Sequence, residues 1–382
     1  MVKIIKNLLF IISVLSIGLI LGACDGNDAG GDAGGDSPIN LGVLLPMSGA
    51  QAFYGIDMNN AFMLAVDQIN ESGGVLGRQL NLLAPADDGC DPMMAAQAAT
   101  LISSSDAHFV VGGFCSGATI AALQEFHDND LIMVISASNS TRITDMGLSQ
   151  SFMLNSPATH QVDKLIDLIH HLGVTEVAVI HQGDDFTQNL SDISHQKMPG
   201  EGINIVTTQV MEIGVPDASA IVTAIRNAGA ELVFWAGYFA DGGNMVRQLR
   251  QGGFDGYIVA ADGSSSTEFI TAKGDVGNGV LTLSTPNAQI SPRGAIFEAD
   301  FQERFGTGSG SYAAHAFDTV HVLVAAIEAA GSIEPEAVKQ ALHNLDYQAI
   351  IGRIVFAPNR EVYYSNFLVL ETRDGEFHLF DF

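Results

Sequence analysis

The sequence is short of basic residues. Its 382 residues include 16 lysines and arginines against 43 aspartates and glutamates, which gives a formal net charge of −27. Nucleic acids and anionic membrane surfaces attract basic proteins, so this balance argues against both as direct partners. The acidic excess is typical of a soluble surface, and it weakly favours cationic or zwitterionic solutes.

Signatures of common catalytic centres are also missing. There is no His-Glu-x-x-His motif, no Gly-x-Ser-x-Gly elbow and no P-loop. Gly306–Gly310 is glycine-rich but follows a helical pattern, which predicts a loop and not a nucleotide site. Asp87-Asp88 and Asp184-Asp185 are chemically suited to acid catalysis or metal binding, but in so acidic a chain we expect them to be solvated. We therefore predict no enzymatic activity, no metal and no cofactor.

Cysteine is scarce, with three residues in the chain. Cys90 and Cys115 lie in its main part, and in an exported protein an oxidising environment is expected to pair them. A metal-binding pair is the alternative, but no further cysteine or histidine stands at a ligand spacing. The sequence thus favours a disulfide between Cys90 and Cys115.

The N-terminus indicates export. Lys3 and Lys6 precede an apolar run from Leu8 to Leu21. A basic start, an apolar stretch and small residues at the end describe a secretory signal. The run is short for a membrane-spanning helix, which needs about 20 apolar residues. Leu21-Gly-Ala-Cys24 resembles the bacterial lipobox, in which the cysteine is acylated and becomes the new N-terminus.

We therefore predict that residues 1–23 are a lipoprotein signal peptide and that Cys24 is lipidated. An ordinary cleaved signal with an incidental cysteine is the alternative. Residues 24–37 are mostly glycine, aspartate, asparagine and alanine, so they are expected to form a flexible acidic linker. The protein is then expected in the periplasm or at the cell surface, meeting a membrane only through its lipid anchor.

The remaining chain alternates short β-branched runs with longer helical patterns. Ile39–Leu45 and Phe109–Gly112 are typical of buried strands, and Pro92–Ser103 of a helix with Asp91 as its N-cap. This order predicts mostly parallel sheets with helices on both faces. Because the pattern restarts after Asn155, we expect two α/β units. Ligands bind beyond the carboxyl ends of such strands, so the cleft between the units is the expected site.

Several segments have a distinctive order and spacing along the chain. They are Gly42-Val-Leu-Leu-Pro-Met-Ser-Gly49 with Tyr54-Gly55, residues 70–77, 87–92 and 112–119, and Ala236-Gly-Tyr238 with Arg247-Gln-Leu-Arg250. Together they resemble the leucine/isoleucine/valine-binding proteins, the type I periplasmic solute-binding proteins of ABC transporters. The resemblance covers nearly all of the mature chain.

This resemblance implies an α/β fold of two doubly wound lobes joined by hinge strands. The N-terminal lobe would take residues 38–157 plus 287–348, and the C-terminal lobe residues 158–286 plus 349–382. The implied function is capture of an amino acid, branched-chain or otherwise aliphatic, by hinge closure of a monomer. The implied partners are the permease subunits of an ABC transporter.

The resemblance also implies a set of contacts for a zwitterion. Ser116 begins a helix directly after a strand, where its hydroxyl and free backbone N–H groups suit a carboxylate. In the family, the stretch matching Ala137, Ser138 and Asn139 supplies backbone groups and a hydroxyl, and Asn139 stands where threonine is usual. Asp262 matches an acid, often glutamate, that binds the ammonium group. A plain N-cap at Ser116 and a turn-forming Asp262 are the alternatives.

Aromatic side chains are expected to form the walls of the site. Tyr54, Phe186 and Tyr238 match positions where the family places aromatic rings, with Phe186 where tyrosine is common. Phe114, Cys115 and Tyr312 are weaker candidates, and core packing is the alternative for each.

Three other functions are compatible with the same sequence. The first is a binding protein for short amides or urea, and the second is a sensing module for a membrane receptor. The third is an exported hydrolase.

Overall fold

The computed structural model describes residues 37–288 and 291–382. The first part of the chain forms β1 (Ile39–Leu45), α1 (Ala52–Glu71), β2 (Leu80–Leu82), β3 (Ala86–Asp87), α2 (Pro92–Ser103), β4 (Phe109–Gly112), α3 (Ser116–Asp128), β5 (Ile132–Ile135), α4 (Arg142–Asp145) and β6 (Ser151–Met153). The predicted signal peptide, Cys24 and the linker up to residue 36 lie outside the described residues.

The next part forms α5 (Ala158–Leu172), β7 (Glu176–His181), α6 (Asp185–Lys197), β8 (Asn204–Val210), α7 (Ser219–Ala228), β9 (Leu232–Ala236), α8 (Phe239–Gln251), β10 (Tyr257–Ala260), α9 (Thr267–Lys273) and β11 (Leu281–Ser284). The last part forms α10 (Pro292–Phe305), α11 (Ala313–Ala330), α12 (Pro335–His343), β12 (Asp346–Gln348), β13 (Arg353–Val355), β14 (Leu368–Arg373) and β15 (Glu376–Leu379).

The strands form two main sheets. The first has the order β2-β1-β4-β5-β6, with β3 also pairing with β1, and its pairs are parallel. The second has the order β15-β14-β11-β10-β9-β7-β8, in which β14 and β15 are antiparallel additions to a parallel sheet. The strand order reverses between β1 and β4 in the first sheet and between β7 and β9 in the second, and such reversals open a crevice at the carboxyl ends.

Helices cover both faces of each sheet, as the continuous apolar strands require. In β1 every residue is buried. Leu44 packs in one cluster with Ile102 of α2 and Leu123 of α3, while Val43 packs in another with Phe62 of α1 and Val320 of α11. The second sheet is covered by α5 and α6 on one face and by α7 and α8 on the other.

Within the described ranges, α11 is the one helix long and apolar enough to cross a membrane by length and composition. Two thirds of it (67%) is buried, and a core helix of a soluble protein passes the same test. Its packing against α1 and α12 is that of a core helix.

The chain passes between the two sheets more than once. It crosses after β6, again after β11, and again before β14. We call the first sheet with α1–α4 and α10–α12 the first lobe, and the second sheet with α5–α9 the second lobe. The residue boundaries expected from the sequence stay a prediction. The pairing of β13 with β12 favours a last crossing later than residue 349.

Candidate ligand-binding site

The candidate residues meet where the carboxyl ends of the two sheets face each other. Ser116 begins α3 directly after the loop that follows β4, and the loop after β5 carries Asn139. From the second lobe, Phe186 follows β7, Tyr238 follows β9 and Asp262 follows β10. The topology therefore brings together residues that lie far apart in sequence, because each comes directly after a parallel strand.

Asp262 lies at the centre of this site and is 1% exposed. Its Oδ2 atom accepts a hydrogen bond from Asn139 Nδ2 of the first lobe at 3.1 Å. The same oxygen accepts a second bond from the Tyr312 hydroxyl at 3.1 Å. In the part of the chain that the structure describes, Oδ1 of this carboxylate has no hydrogen-bond partner. Both bonds at Oδ2 join the second lobe to the first.

Burial changes the titration of Asp262. Removal from water raises the pKa of its carboxyl group to about 6, although the Tyr312 hydroxyl opposes this by bonding the charged form. No basic side chain pairs with Asp262 among the described ion pairs. A buried carboxylate without a cation favours a positively charged group that reaches its free oxygen.

Ser116 and Ser138 of the first lobe are both buried and locally bonded. Ser116 Oγ accepts a hydrogen bond from the Ser140 backbone N–H at 3.3 Å. Ser138 Oγ lies 2.7 Å from Thr119 Oγ1. Their hydroxyls are thus part of the loop structure, and Ser116 keeps its position at the first residue of α3. The predicted contact of these groups with a carboxylate stays a prediction.

Two groups of aromatic rings flank the carboxylate. Tyr54 stacks on Phe114 with centroids 4.6 Å apart, and Tyr312 meets the Tyr54 ring edge-on at 5.4 Å. From the second lobe, Phe186 lies 5.5 Å from Tyr238. These are the separations at which aromatic pairs attract. The walls of the site are therefore apolar rings around one charged group.

A small cavity lies between these walls. It measures about 10 Å³ and is lined by Phe114, Ala137, Asn139, Phe186, Tyr238, Asp262, Gly263 and Tyr312. Of the remaining predicted site residues, Ser116, Ser138, Tyr54 and Cys115 are buried but do not line it. Pockets for small molecules are usually about 300–1,000 Å³, so the lobes must separate to admit a ligand.

A charged contact joins the lobes at the rim of the cleft. Arg142 of α4 bonds Asp185 at 2.7 Å and Asp192 at 2.9 Å, both on α6. Beside it, the Thr141 backbone N–H donates to Asn189 Oδ1 at 3.0 Å. Because Arg142 and its partners are partly exposed, each ion pair contributes at most about 1 kcal/mol. The rim can therefore open without a large cost.

The two cysteines of the described chain are adjacent in space. The Cα atoms of Cys90 and Cys115 lie 5.4 Å apart, in the range that a disulfide requires. Cys115 directly precedes Ser116, the first residue of α3, so the bond would hold the loop that leads into this helix.

The acidic pairs have structural roles that differ from simple solvation. Asp87 accepts backbone N–H bonds from Met47 and Gly89, and Asp184 caps α6 by accepting from Phe186. Asp88 is fully buried, so the expectation that it is solvated is wrong. Its carboxylate faces inward because Oδ1 accepts the N–H of Cys90 in a tight turn.

Over residues 37–288 and 291–382, no cluster of acidic, histidine or cysteine side chains is placed to hold a metal ion.

Two polar residues near Asp262 were not predicted from the sequence. Asn155 lies on the crossing after β6, and Gln161 lies in the first turns of α5. Both are 0% exposed. The one sequence signal was the restart of the α/β pattern after Asn155, which marks a crossing but not a polar cluster.

Two doubly wound lobes that face each other across rings and a carboxylate define a two-lobed, type I solute-binding protein. The sequence profile of the periplasmic binding protein family matches residues 38–376, and the chain belongs to that family. It is thus an extracytoplasmic binding protein. The predicted fold class and the resemblance to leucine/isoleucine/valine-binding proteins are both confirmed.

Curated relatives and a solved structure agree with this assignment. An amino acid binding protein of Pseudomonas aeruginosa is 29% identical over 88% of this chain and 91% of its own length. A leucine-, isoleucine-, valine-, threonine- and alanine-binding protein of the same organism is 25% identical over 87% and 89%. The leucine-binding protein LivK of Thermotoga maritima has the same fold, with a TM-score of 0.83, 23% identity and coverage of 90% and 98%. The relatives are binding proteins, so the chain is not an enzyme and the hydrolase alternative is excluded.

Proposed function

We propose that the protein captures a branched-chain or other aliphatic amino acid between its lobes and delivers it to the permease subunits of an ABC transporter. One observation carries the proposal. Asp262 is a buried carboxylate at the centre of the cleft, with one oxygen held by neutral donors and the other without a partner in the described chain. That free oxygen suits the ammonium group of an amino acid.

The surroundings of Asp262 support an amino acid with an apolar side chain. The rings of Phe114, Phe186, Tyr238 and Tyr312 line the cavity and offer hydrocarbon surface on both walls. Ser116 and the backbone N–H groups at the start of α3 would receive the ligand carboxylate, as a helix N-terminus favours negative charge. The binding names of the curated relatives point to the same ligand class.

The proposed mechanism is hinge closure. An open form admits the solute, and closure brings Asp262 and the second-lobe rings onto a ligand held by the first lobe. The several crossings between the sheets would act as the hinge. The closed shape would then be recognised by the permease, and the protein itself would act as a monomer.

Ligand-dependent stabilisation tests the proposal. We expect leucine, isoleucine or valine to raise the unfolding midpoint of the purified protein, because a ligand at about 100 times its Kd adds roughly 2.7 kcal/mol to the free energy of unfolding. The measurement is a thermal scan against amino acids, short amides, urea and polyamines. A shift with amides or urea alone would keep the fold and replace the ligand.

The sensing alternative differs in its partner and not in its site. A pull-down in the presence of the stabilising ligand separates the two functions. Recovery of permease subunits supports transport, whereas recovery of a receptor or kinase in their place would reassign the output to signalling.

We also propose that Cys24 carries the lipid anchor. Cys24→Ser is expected to move the protein from the membrane fraction to the soluble fraction, because the acidic linker has no apolar surface of its own to hold it there. Fractionation followed by immunoblotting measures this, with the Cys90→Ser variant as the matched control. Continued membrane retention of Cys24→Ser would contradict lipidation.

A further inference from the structure

A set of buried polar atoms behind the cleft has no hydrogen-bond partner in the described chain. They are Asp262 Oδ1, Asn155 Oδ1, and both Nε2 and Oε1 of Gln161. The three residues are 0–1% exposed. Buried side-chain amides nearly always bond at least one partner, so a fully buried glutamine with neither atom bonded needs a reason.

The three residues lie together although they come from different parts of the chain. Asn155 and Gln161 flank the start of α5, and Asp262 follows β10. Both amide side chains lie beside the Asp262 carboxylate and lower its pKa, opposing the effect of burial, although neither makes a hydrogen bond of regular geometry to its Oδ1 atom. Neither amide lines the cavity between the lobes. They therefore lie beside the carboxylate but outside the cavity that a ligand would enter.

Asn155 also reaches the first lobe. Its Nδ2 atom donates to the Ala137 backbone carbonyl at 2.7 Å. Ala137 lines the cavity, so its carbonyl is placed to be a second acceptor for the ligand ammonium. A carbonyl oxygen has two lone pairs, so the bond from Asn155 leaves one for the ligand. Asn155 thus bonds the Ala137 carbonyl and lies beside the Asp262 carboxylate, the two acceptors for the ammonium.

We infer that Gln161 and Asn155 are positioning residues for ammonium recognition, holding the Asp262 carboxylate and the Ala137 carbonyl so that both oxygens meet one ligand nitrogen. This inference rests on the proposed function. Because Asn139 and Tyr312 fix only Oδ2, the direction of Oδ1 depends on the groups behind it. The two amides supply those groups. Because Asn155 lies on the crossing and Gln161 in the helix directly after it, their geometry is linked to hinge closure.

The test compares leucine with 2-hydroxy-4-methylpentanoate, in which a hydroxyl replaces the ammonium group. Gln161→Met keeps the length of the side chain and removes its amide. We expect this variant to weaken leucine binding by about 10- to 100-fold, the effect of losing a hydrogen bond to a charged group, and to change binding of the hydroxy acid by less than about threefold. Asn155→Ala is expected to act in the same direction. Calorimetry measures each dissociation constant.

Gln150→Met is the matched control, because Gln150 is another buried glutamine but bonds Ser149 and Asp130 at the opposite end of the first sheet. We expect it to leave the ratio of the two affinities unchanged. Equal weakening of both ligands by Gln161→Met would show a merely structural role and overturn the inference.

A second readout needs no ligand. The carboxyl carbon of Asp262, assigned in NMR spectra with Asp262→Asn, should titrate at a higher pH in Gln161→Met, because the charged form loses a donor. An unchanged titration would overturn the inference while leaving the proposed function intact. If the wild-type protein bound no amino acid, the proposed function would fail, and the titration would still decide whether Gln161 holds Asp262.

Discussion

Asp262→Asn is expected to weaken leucine binding by about 2–5 kcal/mol, the usual cost of removing one member of a buried charge pair. The substitution keeps the shape of the side chain and leaves one oxygen to accept from Asn139 or Tyr312. What it removes is the negative charge, so the ligand ammonium would be buried without a counter-charge. Calorimetric titration of wild-type and variant protein with leucine measures the difference.

The pH dependence provides an internal check on this result. The Asp262 pKa is raised to about 6, so protonation below that value removes the charge that the ammonium needs. We expect leucine affinity of the wild-type protein to fall by up to about tenfold per pH unit as the pH drops below 6, and that of Asp262→Asn to stay flat.

Asp318→Asn is the matched control variant. Asp318 is also buried, and burial raises its pKa to about 7. It accepts the N–H groups of Ile350 and Ile351 far from the cleft. Its substitution should lower stability without changing leucine affinity. If Asp262→Asn bound leucine as tightly as the wild type does, Asp262 would be only a turn residue.

Replacing both Cys90 and Cys115 with serine is expected to lower the free energy of unfolding by about 3–4 kcal/mol, because a cross-link over such a loop restricts the unfolded chain. The two residues are 25 apart in sequence. Urea denaturation in a Cys24→Ser background measures the loss, and Cys24→Ser alone is the control.

Thiol titration decides whether the bond exists. The unreduced, denatured Cys24→Ser protein should show no free thiol, and the reduced protein should show two. Two titratable thiols before reduction would refute the pairing and leave the loop before Ser116 held by packing alone.

Much of the fold was predictable because it depends on local signals. Pro92–Ser103 was predicted as a helix with Asp91 as its cap, and the Asp91 carboxylate accepts the N–H groups of Met93 and Met94 at 2.9 Å. The buried strands were recognisable because parallel strands covered on both faces are continuously apolar. The Asp-Gly pair at 374–375 is a typical signal for a tight hairpin, and it joins β14 to β15 with positive φ at both residues.

Short elements were missed for a different reason. β6 has three residues, and β11 has the sequence Leu-Thr-Leu-Ser. β6 is short and β11 alternates apolar with polar residues, so neither shows the continuous apolar run of a buried strand such as β4. Each is a strand because a neighbouring strand pairs with it. α4 was missed because a single helical turn is too short to show a helical period. This turn places Arg142 at the rim.

The site was predictable only in outline. Residues directly after strands, such as Asp262 and Asn139, could be named because the fold sends every such loop to one edge. Asn155 and Gln161 could not, since asparagine and glutamine in a sequence are usually solvent-exposed. Their burial follows from the crossing of the chain between two lobes, and that arrangement has no local signal.

The repeated crossing of the chain also constrains how the protein acquires its structure. The second sheet lacks its antiparallel edge until β14 pairs with β11. In the first lobe, α1 cannot complete its packing until α11 has been added. Each lobe is therefore assembled from distant stretches, and contacts of high sequence separation form slowly. During export the earlier segments must stay unaggregated, with the edge of β11 exposed, until the later ones emerge. This binding protein therefore completes its fold late and cooperatively, on the far side of the membrane.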